Sequence, residues 1–234
     1  MFAQGVLAYN NNDYVRAYDL LQEYQKLNDL NKLDPRVWYL KGNCAFELGR
    51  KSNRSEILEM AISNYYEALI LDSMSVKVRC YMALAFEQLG KIDNAFAVAF
   101  EGYKINPNNA FINYVLGKLY NVSEKREIAI KYLTVAISLH EDKKYGYASL
   151  AKWYLERAVA YEMKEDLQNS EADYIKCLKL NDTDIDAWYH YGCFLSWCKR
   201  NNDACTVFKI IQGINENYTD YAGSIKELIK ISCN

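Results

Sequence analysis

Proline and glycine are scarce in this chain, with two and ten among 234 residues. Sandwiches and barrels need many turns, so this shortage of backbone breakers argues against both. Histidine occurs only at His140 and His190, which leaves little scope for imidazole acid–base or metal chemistry. No run of about 18 apolar residues occurs, so no membrane-spanning helix is expected. A dominant charge is missing too. Lys and Arg number 28 against 30 Asp and Glu, a formal net charge of −2. No global basic field draws the chain to nucleic acid or to acidic membranes.

Motifs that carry chemistry are equally thin. The nearest approach to a phosphate loop is Ala85-Phe86-Glu87-Gln88-Leu89-Gly90-Lys91-Ile92. It lacks the first Gly and the Ser/Thr after Lys, and Gly90-Lys91 reads as a turn between two helices. No dinucleotide fingerprint, nucleophile elbow or kinase signature is present. Asp186, His190 and Cys193 could share one helical face, but no C-x-x-C pair accompanies them, so buried thiols are the better account. The expectation is a chain with no catalysis, no cofactor and no metal. The cysteines number seven, an odd count without a regular framework, which suggests reduced thiols. The start, Met1-Phe2-Ala3-Gln4-Gly5, has no basic stretch followed by an apolar core. Together these features point to the cytoplasm or the nucleus.

Apolar residues are plentiful, at 51%, with 21 tyrosines, and they repeat. The stretch Tyr114-Val115-Leu116-Gly117-Lys118-Leu119-Tyr120 matches Trp188-Tyr189-His190-Tyr191-Gly192-Cys193-Phe194-Leu195. Twelve residues after each Gly stands a small residue, Ala129 or Ala204, and four later a bulky one, Leu133 or Phe208. Small residues at the first position run Gly5, Gly42, Ala83, Gly117, Ala158 and Gly192. At the second they run Ala17, Ala61, Ala95, Ala129, Ser170 and Ala204. The underlying period is 34 residues, as from Ala83 to Gly117, enlarged by seven in two places and by three in another. Small residues let helix backbones approach, and large ones fill the groove beside them.

This period and pattern resemble the tetratricopeptide repeat, a helix–turn–helix unit. The resemblance implies an all-α fold, a right-handed superhelical solenoid forming one domain over 1–234. Its units would be about 1–34, 35–75, 76–109, 110–143, 144–184 and 185–218, closed by a cap helix over 219–232. Asp34-Pro35 reads as an N-cap followed by Pro at the first helical position. Asn53 with Glu56 reads as a capping box before a helix. Asn108-Asn109 and Asp182-Thr183-Asp184 punctuate later units. One seven-residue insertion lies near 50–56, where it is expected to lengthen the loop and the start of the second helix. The other lies near 144–150, where it is expected to extend the first helix of its unit. Seven residues are close to two helical turns and leave the buried stripe in phase.

In proteins with this repeat the first helix of each unit lines a concave groove. The resemblance therefore implies a partner-binding set: Arg36, Tyr39 and Asn43; Lys77, with Cys80, Leu84 and Glu87 on the same helix; Phe111, Tyr114 and Lys118; Lys152; and Tyr189. Tyrosines would pack a partner's side chains, and the cations would meet its carboxylates. The partner expected is an extended or helical segment of another protein, with nucleic acid and membrane insertion not expected. The competing expectation is a structural or self-associating subunit that uses convex or end surfaces and could form a homo-oligomer.

Overall fold

The computed structural model describes residues 1–28, 34–140, 146–214 and 222–233; the side chains of 147, 148 and 222–224 are outside the description. Among the described residues there are thirteen α-helices and no strand. The chain divides into two compact units, Met1–Leu119 and Tyr120–Asn234.

The first unit holds α1 (Phe2–Asn10), α2 (Tyr14–Lys26), α3 (Pro35–Ser52), α4 (Ser55–Leu71), α5 (Val76–Gln88), α6 (Ile92–Ile105) and most of α7 (Ala110–Val122). Here α1 packs on α2, α3 on α4 and α5 on α6, and each pair also meets the next through α2–α3 and α4–α5. The second unit holds α8 (Arg126–Leu139), α9 (Tyr147–Glu162), α10 (Leu167–Leu180), α11 (Ile185–Trp197), α12 (Asn201–Ile214) and α13 (Ala222–Ser232). Its principal pairs are α9 with α10 and α11 with α12, and α13 packs on α12.

Six hairpin turns share one device. Residues Asn12, Asn53, Gly90, Glu124, Glu165 and Lys199 take a left-handed φ between 51° and 70°. In each case the next residue donates its backbone N–H to the carbonyl five positions back: Asp13 to Ala8, Arg54 to Gly49, Lys91 to Phe86, Lys125 to Tyr120, Asp166 to Tyr161 and Arg200 to Leu195, all at 2.9–3.1 Å. This closure satisfies carbonyls that a helix end leaves unpaired. Only Gly90 adopts it without a Cβ penalty.

The alternation of small and bulky residues explains how the helices close on each other. An added Cβ on Gly42 would fall 2.5 Å from Tyr65 Cε1, and one on Gly192 would fall 2.5 Å from Phe208 Cε1. The ring of the second helix lies directly on the backbone of the first. Ala17, Ala61, Ala95, Ala129 and Ala204 are fully buried, as are Leu21, Tyr65, Leu133 and Phe208 four residues after four of them.

Helix starts follow the expected chemistry. Asp34 caps α3 by accepting from the Arg36 N–H at 2.9 Å, with Pro35 at the first position. Asn109 accepts from the Ile112 N–H, and Asp184 from the Ala187 N–H. Asn53 departs from expectation. It ends α3 in the left-handed turn, and Arg54 is the N-cap of α4. The insertion near 50–56 is taken up as helix on both sides, because α3 has 18 residues and α4 has 17, against 13 and 14 in α5 and α6. Of the insertion near 144–150, residues 144 and 145 lie outside the described residues, and helix α9 begins at Tyr147. Residues 219–221 of the expected cap likewise lie outside, and α13 occupies 222–232.

The thiols also depart from expectation. Cys205 and Cys233 form a disulfide with a Cα–Cα separation of 5.2 Å, leaving Cys44, Cys80, Cys177, Cys193 and Cys198 free. A pair separated by 28 residues gives no spacing signature. Only the return of α13 onto α12 brings the two together.

Candidate partner-binding face

Within the first unit, α3, α5 and α7 bring a row of aromatic rings into contact. Tyr39 on α3 meets Tyr81 on α5 edge-on, with ring centroids 5.7 Å apart. Tyr81 meets Phe111 on α7 at 5.2 Å, and Phe111 stacks on Tyr114 at 6.1 Å. Phe46 braces Tyr81 from α3 at 6.4 Å. Edge-to-face and offset geometries at these spacings are the favourable ones for aromatic quadrupoles. Tyr39, Tyr81 and Phe111 are half-buried, while Phe46 and Tyr114 are buried. The row is therefore anchored in the core and partly open to solvent.

Charge is distributed around this row. Lys77 is exposed, with Nζ 4.8 Å from the Tyr39 centroid, a cation–π distance. Arg36 is exposed and turns back on its own N-cap, Nε donating to Asp34 Oδ2 at 2.8 Å. Its guanidinium stands 5.4 Å from the Phe2 ring. The Arg36 hydrogen bond holds the Asp34 carboxyl below its ordinary range. Lys118 donates to Glu87 at 2.9 Å, both side chains being largely covered. At that distance each charge is compensated by the other.

A pocket of about 380 Å³ opens beside Tyr39. Arg36, Tyr39 and Leu40 of α3 form one wall, Ala68 and Asp72 another, and Ser75, Lys77 and Val78 a third. A volume of this size suits a side chain or a small molecule.

Apart from Lys118, which is paired with Glu87, the sequence-derived set falls into three groups. Arg36, Tyr39, Lys77, Phe111 and Tyr114 lie in or beside the aromatic row. Asn43 is 1% exposed: its amide donates to Tyr9 Oη at 3.2 Å, and its carbonyl accepts from Tyr65 Oη at 2.8 Å. It joins three helices inside the core. Lys152 and Tyr189 belong to the second unit, where Lys152 is exposed on α9 and Tyr189 is half-buried on α11 beside His190.

Tyr81 is the residue that sequence reasoning missed. Repeat spacing puts Cys80 on the face, yet it is fully buried, and burial pushes its thiol well up. The available signal was Tyr81 lying four residues after Lys77, which places both on one side of α5. Burial, together with the neighbouring Tyr81, holds the Tyr39 hydroxyl far above its usual range, so it stays neutral. Among the described residues, no three His, Cys, Asp or Glu side chains are grouped to hold a metal ion. No described helix is long and apolar enough to cross a membrane.

Paired helices, a small residue sealed by a ring, and one turn geometry used six times define the tetratricopeptide-repeat fold, and the chain has it. Among solved structures it is similar to a chain of the APC/C hetero-tetramer Cut9–Hcn1, with TM-score 0.87 and 16% identity over 100% of this chain. It spans 42% of the length of that chain. It is similar to TTC0263, a thermophilic TPR protein of Thermus thermophilus, with TM-score 0.66 and 21% identity, covering 83% of this chain and 96% of that one. It is also similar to YrrB, a TPR protein with an unusual peptide-binding site, with TM-score 0.51 and 17% identity, covering 85% and 93%. No protein-family model and no curated protein matches the sequence.

Proposed function

We propose that this chain is a non-catalytic protein-interaction scaffold whose partner packs on the aromatic row of α3, α5 and α7. The observation that carries the reading is the unbroken contact from Tyr39 through Tyr81 to Phe111 and Tyr114, with Lys77 seated on its first ring. Partly exposed tyrosines offer contact area and a hydrogen bond at little entropic cost, which suits them to anchoring a partner segment. The segment is an extended or helical stretch of another protein that bears apolar side chains, with a carboxylate near Lys77. Lys118 supports the face through Glu87 and does not meet the partner as a free charge. Lys152 and Tyr189 are proposed as contacts of the second unit in their own right. The peptide-binding site named for YrrB agrees with this class of function.

Affinity capture by the wild-type chain, compared with Tyr81→Ala and Lys77→Glu variants of unchanged helix content, tests the reading. Partners identified by mass spectrometry should be lost from both variants. Recovery of the same partners at the same yield would reject this face.

A second reading is carried by a different observation. On the side of α4 away from Ala61, Tyr65 and Ala68, Tyr66 is 52% exposed, Ile70 73%, and Met74 just beyond the helix 63%. Tyr66 and Ile70, spaced by four, share one exposed face of α4, with Met74 in the turn that follows, which suits a structural or self-associating subunit. Light scattering across a concentration series separates the two: a dimer that Ile70→Lys abolishes would favour this second reading. For compartment, we propose the cytoplasm or the nucleus, with five unbonded cysteines in keeping with a reducing setting.

A further inference from the structure

We propose that the Cys205–Cys233 bond is a redox latch that holds α13 on the α11–α12 hairpin and releases it on reduction. Three features of the second unit point to this.

The first is how α13 is held. It has eleven residues, and a helix that short is not stable alone in water. Ile225 is buried within the cluster that contains Phe194, Leu195, Val207, Phe208 and Ile211, while Leu228 and Ile229 reach that cluster half-buried. Ile231 is 70% exposed. The Ser196 and Ser232 hydroxyls meet at 3.5 Å, the long limit for a hydrogen bond. Among the described side chains, docking combines a narrow apolar stripe with one covalent bond.

The second is where the bond sits. Cys205 lies near the start of α12, and Cys233 follows the last residue of α13. The bond closes the chain between the two helices, so the tethered end of α13 cannot leave its seat. Cutting it turns the docking of α13 into an ordinary local opening equilibrium.

The third is access. Cys233 is exposed, whereas Cys44, Cys80 and Cys177 are buried. Burial pushes the Cys44 and Cys177 thiols up to about 12. They remain protonated and unreactive, because thiolate is the attacking species in thiol–disulfide exchange. The three buried thiols therefore do not compete for exchange at the exposed Cys233, while Cys193 and Cys198 are free and half-buried.

The step balances with an external dithiol as reductant. Its thiolate attacks Cys233 Sγ, the Sγ–Sγ bond breaks, and Cys205 leaves as a thiolate and takes up a proton. The second thiol of the reductant then displaces Cys233 and closes its own disulfide. Two electrons and two protons pass to the protein, giving two cysteine thiols. Release of α13 uncovers Phe208 and Ile211, a seat that fits an amphipathic helix carrying Ile and Leu three and four residues apart, as Ile225, Leu228 and Ile229 do.

The test is hydrogen exchange followed by mass spectrometry on the full chain, air-oxidised and then treated with dithiothreitol, beside Cys233→Ser. Thiol titration of the oxidised, denatured chain should give five thiols rather than seven. Exchange over 222–233 should rise at least tenfold on reduction. It should be equally fast in Cys233→Ser without reductant and should not respond to it. Protection over 35–88 should not change. Seven thiols in the oxidised chain, unchanged exchange over 222–233, or loss of protection throughout α11 and α12 would each overturn the latch.

Discussion

The two compact units solve the same packing problem and then use their remaining rings differently. In each, a ring from the second helix of a hairpin lies on a glycine of the first: Tyr65 on Gly42, Phe208 on Gly192. Beyond that shared contact, the first unit turns Tyr39, Tyr81 and Phe111 toward a half-open face. The second gathers Tyr174, Tyr191, Phe194 and Phe208 into one core cluster and adds a disulfide. The repeat dictates which rings must close a hairpin. It leaves other aromatic positions free for recognition or for further burial.

Truncating a ring from each unit should break this comparison most visibly. Phe208→Ala removes a fully buried ring and should cost about 4 kcal/mol by urea unfolding. Tyr81→Ala on the half-open face should cost about 1 kcal/mol while abolishing partner capture. Equal losses would mean that the row is merely core.

Substituting the two glycines should sharpen the shared part. Gly42→Ala and Gly192→Ala each drive a Cβ to 2.5 Å from a ring carbon, and overpacking outweighs the gain in helix propensity. Each should lose about 2 kcal/mol. A neutral result at either site would show that its ring can move aside.

Lys41 supplies a pH-dependent contrast within the first unit. It is 3% exposed, bonds Gln25 Oε1 and lies over the Trp38 ring at 4.8 Å and the Tyr18 ring at 5.1 Å. Burial, with help from Lys26, lowers it to about 8 from 10.5. At pH 7 both folded and unfolded chains carry the proton, so the full cost of burying charge applies. Between about 8 and 10.5 the folded chain has released the proton and the unfolded chain still binds it, so stability rises with pH. Lys41→Met removes this dependence. The stability of wild type relative to Lys41→Met should improve by about 1 kcal/mol from pH 7 to pH 9 in parallel urea titrations.

The smallest effect should come from Arg36→Ala. Its side chain is 70% exposed where it pairs with Asp34, so the midpoint of thermal unfolding should stay where it is in the wild type.

The fold was legible because its determinants are local. Small residues at fixed intervals, and Asp34-Pro35 at a helix start, mark the backbone geometry they serve. The face was only partly legible. Arg36, Tyr39, Lys77, Phe111 and Tyr114 follow from helical spacing. The same spacing assigns Asn43 and Cys80 to that face, although one step of α5 separates the buried Cys80 from the half-open Tyr81. A helix turns 100° per residue, so such a choice needs knowledge of the neighbouring helix. Asn53 misleads because Asn suits both a helix start and a left-handed helix end. The disulfide was not readable at all, since its two cysteines meet only through the return of α13.

The six-fold use of one hairpin turn has a consequence for how this architecture can grow. Its hydrogen bond spans only six consecutive residues, and it survives the seven-residue enlargement between Gly42 and Ala83, where α3 and α4 both lengthen. Whole turns can thus be spliced into a hairpin's arms while its bend stays as it was. A designer could raise one arm above its neighbours, as a taller stave in a fence, without redrawing any joint.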